Sequence, residues 1–215
     1  MVHNLSNAHS IFSTFLAEIR DVEIQKDSMR FRRNMERISE IMAYEISKTL
    51  PFENKDVITP LGTAKTPVLT NQPVLATILR AGLSMHQGFL NYFDKAESAF
   101  VSAYRKHKNA EDFDIEVEYL ASPSLDKKTV IISDPMLATG NSMVMVHKAL
   151  LRQGKPAKII IASAIATPDA LELVKNHFPE NTEIWVGAID TELTAQSYIV
   201  PGLGDAGDLA YGVKC

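Results

Sequence analysis

An α/β fold built on a mostly parallel sheet is predicted by three features of this chain. Short apolar runs alternate with helical stretches, as in Thr129–Ser133, Ser142–Gln153, Lys158–Ala166, Pro168–His177 and Thr182–Ala188. Strands alternating with helices imply right-handed crossovers and parallel neighbours. Three polar spots, Arg80-Ala81-Gly82, Tyr104-Arg105 and Asp134, stand where such strands end, and ligands of parallel sheets gather there. Finally, 215 residues are enough for one sizeable core, and no internal repeat or linker divides the chain, so residues 1–215 are read as one domain.

The elements follow in order. Phe31, Met35, Ile38, Met42, Ile46 and Leu50 recur at steps of three and four, predicting a helix over 28–50 that Pro51 closes. Val57–Leu69 holds two extended pieces around Pro60-Leu61-Gly62-Thr63, the pattern of a hairpin arm. Pro73–Leu79 is expected as a buried strand, followed by a helix near Ser84–Phe93, a strand over Ser98–Ala103, a charged loop over Lys106–Asp114 and a strand over Ile115–Leu120. The N-terminal 21 residues contain only a brief apolar stretch, interrupted by Glu18 and Arg20. They do not read as a signal peptide.

Composition narrows the function. With 46% hydrophobic and 22% charged residues the chain has ordinary globular composition. A net charge of -4 argues against an extended nucleic-acid footprint, which needs a basic face. No window reaches the length of a membrane span. The only cysteine is Cys215, so a cytoplasmic, reducing setting is expected, with no disulfide or cysteine-based zinc site. The six histidines are scattered without ligand spacing, and no metal held by protein ligands is expected.

The most informative stretch runs from Val130 to Ser142. A β-branched run ends in the carboxylate Asp134, and Pro135-Met136-Leu137-Ala138-Thr139-Gly140-Asn141-Ser142 then opens a helical pattern. Helix N-termini with small residues bind phosphate through free N–H groups and the helix dipole, and the acid can accept from sugar hydroxyls. The stretch lacks the lysine of a nucleoside triphosphate loop and the spacing of a dinucleotide fingerprint. Arg80 and Arg105, at two other strand ends, suit pyrophosphate oxygens. The run Tyr198–Asp208, with Gly202, Gly204 and Gly207, is expected to be neither helix nor regular strand. As a tight loop it could read the edge of a planar base.

These residues resemble the uracil phosphoribosyltransferase family through ILRAG (Ile78–Gly82), Tyr104-Arg105, DPMLATGNS (Asp134–Ser142) and YIVPGLGDAGD (Tyr198–Asp208). The likeness extends in order from Arg30 onward, and Ser133 before Asp134 looks like the single-acid uracil subgroup. The resemblance implies a type I phosphoribosyltransferase fold: a Rossmann-like core with a hairpin arm and a C-terminal base-binding segment. It implies transfer of the 5-phosphoribosyl group from phosphoribosyl pyrophosphate (PRPP) to uracil, giving UMP. Asp134 would contact the ribose, Ala138–Ser142 the 5′-phosphate, and Arg80 and Arg105 the pyrophosphate, with Pro135, Met136 and Leu137 completing the PRPP loop. Ile199, Gly204, Asp205 and Ala206 would hold uracil. Asp205 would also lie near the ribose donor and, with Arg105, act in catalysis. Magnesium would be carried mainly by PRPP, a homodimer or higher homo-oligomer would form through the Val57–Leu69 arm, and GTP is raised as an activator.

Asn141 departs from the family's glycine, Leu209 from its basic residue, AYGVKC from its FGTK tail, and the segment after Arg105 is basic rather than acidic. Two other readings remain open on the residues alone: a nucleotide-sensing regulator, and the same chemistry on a purine.

Overall fold

The computed structural model describes residues 1–107 and 113–214, and their side chains outside 103–117. In chain order the elements are β1 (Val2–Asn4), α1 (Ile11–Arg20), α2 (Ser28–Ser47), β2 (Phe52–Thr59), β3 (Gly62–Leu69), β4 (Val74–Leu79), α3 (Leu83–Leu90), β5 (Glu97–His107) and β6 (Phe113–Ala121). There follow β7 (Thr129–Ser133), β8 (Met136–Leu137), α4 (Asn141–Leu150), β9 (Lys158–Ala166), α5 (Pro168–His177), β10 (Glu183–Ile189), β11 (Glu192–Leu193), β12 (Ile199–Val200) and α6 (Ala206–Tyr211).

The central sheet runs β1-β10-β9-β7-β4-β5-β6, with β8 also paired to β9. Every pairing is parallel except β5 with β6. From β4 the chain moves outward to β5 on one side and then returns to β7 on the other. This reversal opens a crevice at the carboxyl ends of β4 and β7, where Arg80 and Asp134 emerge.

The period-two geometry of strands sends alternate side chains to opposite layers. Leu75, Ile131, Ile160 and Ala162 point to the layer of α1, α2 and α3, against Phe12, Ile19, Phe31, Met35, Ile38, Met42 and Phe89. Val74, Ala76, Val130, Ile132, Ile159 and Ile161 point to the layer of α4 and α5, against Met143, Val146, Ala170 and Val174. Both faces are covered, as a parallel sheet requires. The predicted stripe of α2 is this packing face, and the helix ends three residues before Leu50.

Local signals set the helix starts. The Ser10 hydroxyl accepts from Phe12 N–H, the Asp27 carboxylate from Met29 and Arg30 N–H, and the Thr167 hydroxyl from Ala170 N–H ahead of Pro168. The predicted hairpin arm exists but begins five residues earlier. Phe52 pairs with Leu69, and Thr59 with Gly62, across a two-residue turn. It projects from the body, with Ile58 89% and Leu61 100% exposed.

One element is added to the expectations and two expectations are corrected. The N-terminal stretch is a helix, α1, held to the core by Phe12, Leu16 and Ile19. The run Tyr198–Asp208 does contain helix, because Asp205 caps α6 by accepting Asp208 N–H at 3.0 Å and buried Ala206 and Ala210 anchor it. Such packing overrides the weak propensity of Gly207. The expected loop over Lys106–Asp114 is shorter, since Lys106 pairs with Asp114 and His107 with Phe113; 108–112 lie outside the described residues.

Candidate active site

A cavity of about 1130 Å³ opens at the carboxyl ends of β4 and β7. Its walls are the β4 end (Ile78–Ala81), the loop and first turn of α4 (Asp134, Met136–Gly140, Ser142, Met143), the segment around β12 (Gln196–Ile199, Asp205, Gly207) and the tail (Val213, Lys214). The structure therefore brings Arg80, Asp134, Met136, Leu137, Ala138, Thr139, Gly140, Ser142, Ile199 and Asp205 to one space. Pro135 is buried behind the loop and Asn141 faces outward. Gly204 and buried Ala206 flank Asp205. Arg105 belongs to β5, and its side chain lies outside the described residues.

The loop is held by its carbonyls. Pro135 O accepts from Ile165 N–H at 3.0 Å, Leu137 O from Thr167 N–H at 3.1 Å, and Ala138 O from the Thr167 hydroxyl at 2.7 Å. Thr167 thus caps α5 and fixes the phosphate-type loop with one side chain. The backbone then turns at Gly140, whose φ of +79° is costly for any residue with a Cβ. The first helical bond of α4 is Val144 N–H to Gly140 O at 3.0 Å. By helix geometry the amides before Val144 have no carbonyl partner within α4. Together with the positive helix end, they make this wall suited to a phosphate dianion.

The two acids differ in electrostatics. Burial pushes the Asp134 carboxyl up to about 7, the distant Met136 N–H at 3.5 Å offsets little, and the negative charge of Asp205 adds to the rise. Asp205 moves the other way. Burial works against its charge, but Asp208 N–H at 3.0 Å, Lys214 Nζ at 3.2 Å and Gly207 N–H hold it below its ordinary range. Asp205 is therefore a standing negative charge at neutral pH, and Asp134 is poised to change state there.

Beneath the floor, Ser133 Oγ lies 3.4 Å from Thr77 Oγ1, which meets His86 Nδ1 at 2.7 Å, and His86 Nε2 lies 3.1 Å from Ser98 Oγ. Burial pulls His86 down to about 4, so this chain of polar groups is neutral and adds no charge under Asp134.

Arg80 is already engaged, donating to Asp208 Oδ1 at 2.9 Å and to Gly212 O at 3.1 Å. Asp208 and Lys214 were not singled out from sequence. The signal was present in the Asp205–Asp208 spacing, which puts both acids on the first turn of α6, and in a lysine near the chain end. The Gln196 and Ser197 contributions to the wall follow from folding alone.

Comparison with known proteins agrees with this arrangement. The family model described as uracil phosphoribosyltransferase matches residues 6–213. A uracil phosphoribosyltransferase of Porphyromonas gingivalis is 57% identical over 213 residues, 99% of each chain. That of Thermococcus gammatolerans is 38% identical, over 92% of this chain and 87% of the relative. The solved structure of the AQ2163 protein from Aquifex aeolicus superposes with a TM-score of 0.87 at 31% identity, covering 99% of both chains. A mostly parallel sheet, a strand-end acid beside an open helix start, and a match over nearly the whole sequence converge on one assignment: the chain belongs to the uracil phosphoribosyltransferase family.

Proposed function

We propose that this cavity joins uracil to the phosphoribosyl group of PRPP, releasing UMP and pyrophosphate, as a pentosyl transferase of pyrimidine salvage. The observation that supports it best is a single cavity in which Asp134 and the α4 start face the Ile199–Asp205 segment.

In this reading Ala138, Thr139, Gly140, Asn141 and Ser142 receive the 5′-phosphate, and Asp134 accepts from the ribose hydroxyls. Arg80 leaves Asp208 for the pyrophosphate, and Arg105 joins it. Peptide groups of Ile199, Gly204 and Ala206 read the edge of uracil. N1 of uracil bonds to the anomeric carbon as the bond to pyrophosphate oxygen breaks, so positive charge builds on the ring and negative charge on the leaving group. Cations placed beforehand stabilise the latter. Asp205 stabilises the former and takes the proton that N1 loses. Holding the two substrates together removes several kcal/mol of association entropy from the barrier.

Asp134 and Asp205 are too few to cage a cation, and no cluster of three or more metal-ligating side chains occurs among the described residues. Two carboxylates beside a phosphate site do fit magnesium that keeps phosphate oxygens and water as its other ligands. When bound, magnesium supplies neutralisation of the pyrophosphate charge. The exposed arm, tipped by Ile58 and Leu61, is the proposed seam of a homodimer or higher homo-oligomer. Among the described residues no helix is long and apolar enough to cross a membrane; a cytoplasmic setting is part of the proposal.

Incubation with labelled uracil, PRPP and magnesium tests the reaction: labelled UMP is expected, and its absence refutes the proposal. Competing purines in the same assay tests the base, and added GTP tests activation.

A further inference from the structure

We infer that Arg20 and Asp190, which line no part of the cavity, form a positioning clamp that sets the base-binding segment. The inference rests on the reading of Ile199–Ala206 as the uracil site. Arg20 ends α1, and Asp190 follows the carboxyl end of β10, with its own N–H on Ala166 O at 2.9 Å. The guanidinium donates twice to the carboxylate, at 2.8 and 2.9 Å. The same pair then takes both polar groups of one residue: Arg20 donates to Gly202 O at 3.1 Å, and Asp190 Oδ2 accepts Gly202 N–H at 3.0 Å.

Gly202 is the hinge of the segment. Its φ is +58°, and a Cβ there would overlap the Ile199 carbonyl oxygen. Fixing Gly202 therefore fixes Ile199 on its near side and Gly204-Asp205 two residues on. The strand pairing beside it is short, since β11 and β12 pair over only two residues each, and buried Ile199 and Leu203 add apolar packing that fixes depth without orienting the peptide groups. Asp190 is 8% exposed and the Arg20 side chain 21%, so the carboxylate end of the pair is shielded from water. A clamp that spans helix, sheet and loop sets the height of the peptide edges that uracil must meet; it reaches the PRPP loop only through the Asp190 backbone N–H on Ala166, which pairs with Leu137, and a side-chain change leaves that bond in place.

The test compares KM for uracil, KM for PRPP and kcat in the wild type, Arg20→Lys and Asp190→Asn, beside a wild-type crystal soaked with uracil. Lysine keeps the charge but loses the two-pronged contact. Asparagine keeps an acceptor for Gly202 N–H and nearly the same shape, so it remains informative if Arg20→Lys does not fold. The expected result is uracil against Ile199 and Asp205, a rise of about tenfold in KM for uracil in both variants, as a misplaced contact gives, and KM for PRPP within about twofold. Uracil in that place with its KM unchanged, or with both KM values rising in parallel, overturns the clamp and leaves the site standing. Uracil bound elsewhere overturns the site reading itself.

Discussion

Replacing Asp134 by asparagine is expected to stabilise the substrate-free protein at alkaline pH while abolishing most turnover. The folded carboxyl titrates near 7, against an ordinary value of 3.8. A folded-state pKa raised in an acid means that the native state holds its proton more tightly than the unfolded chain. The contribution of this carboxyl to stability is therefore greatest below about pH 4, falls as pH rises through the interval, and is lowest above 7. A shift of about 3 units corresponds to at most ~4 kcal/mol. Asp134 is partly open to the cavity, so about 1–2 kcal/mol is the expected penalty after screening. The Asp134→Asn variant would carry no such penalty, giving a Tm about 2–8 °C higher than wild type at pH 8 for a chain of this size. At pH 5 the gain should be smaller, following the same titration. Melting curves at the two pH values decide it. A variant that melts at or below wild type at pH 8, or a difference independent of pH, would show that the carboxyl is not held in its protonated form.

Arg80→Ala should raise KM for PRPP by about 10–100-fold, the loss of one charge-assisted contact, with KM for uracil changed far less; steady-state kinetics with each substrate varied reads this. Gly140→Ala forces a side chain into a left-handed turn, 3.2 Å from Ala170 O. It should cost about 1–2 kcal/mol and weaken PRPP binding, visible as a lower Tm together with a higher KM; a Tm equal to wild type refutes the strain. Ile58→Asp with Leu61→Asp should halve or further reduce the sedimenting mass, since charges at an apolar seam prevent association. An unchanged mass excludes the arm as that seam.

Much of this architecture was legible because local and global preferences agree. The strands Thr129–Ser133 and Lys158–Ala166 and the helix Pro168–His177 have the bounds read from their apolar runs and, for the last, from Pro168. The Asp134–Ser142 turn was legible because a strand-end acid, small residues and a helix start are each visible in sequence. Arg20 was read only as an interruption of an apolar stretch, because its partners lie 170 and 182 residues away. The helical start at Ala206 was hidden because glycine content outweighs capping until the buried faces of Ala206 and Ala210 are known. The pairing of Arg80 with Asp208 joins residues 128 positions apart, and no periodicity reports such an encounter.

That last pairing changes how substrate arrival should be counted. On the proposed reading, in which Arg80 receives pyrophosphate, Asp208 already pairs with the guanidinium, so an incoming pyrophosphate would displace a resident anion instead of meeting a bare cation. Dissolved salt weakens the old pair as well as the new one. PRPP affinity at this corner should accordingly decline more gently with ionic strength than a simple tally of positive groups around the cavity would give.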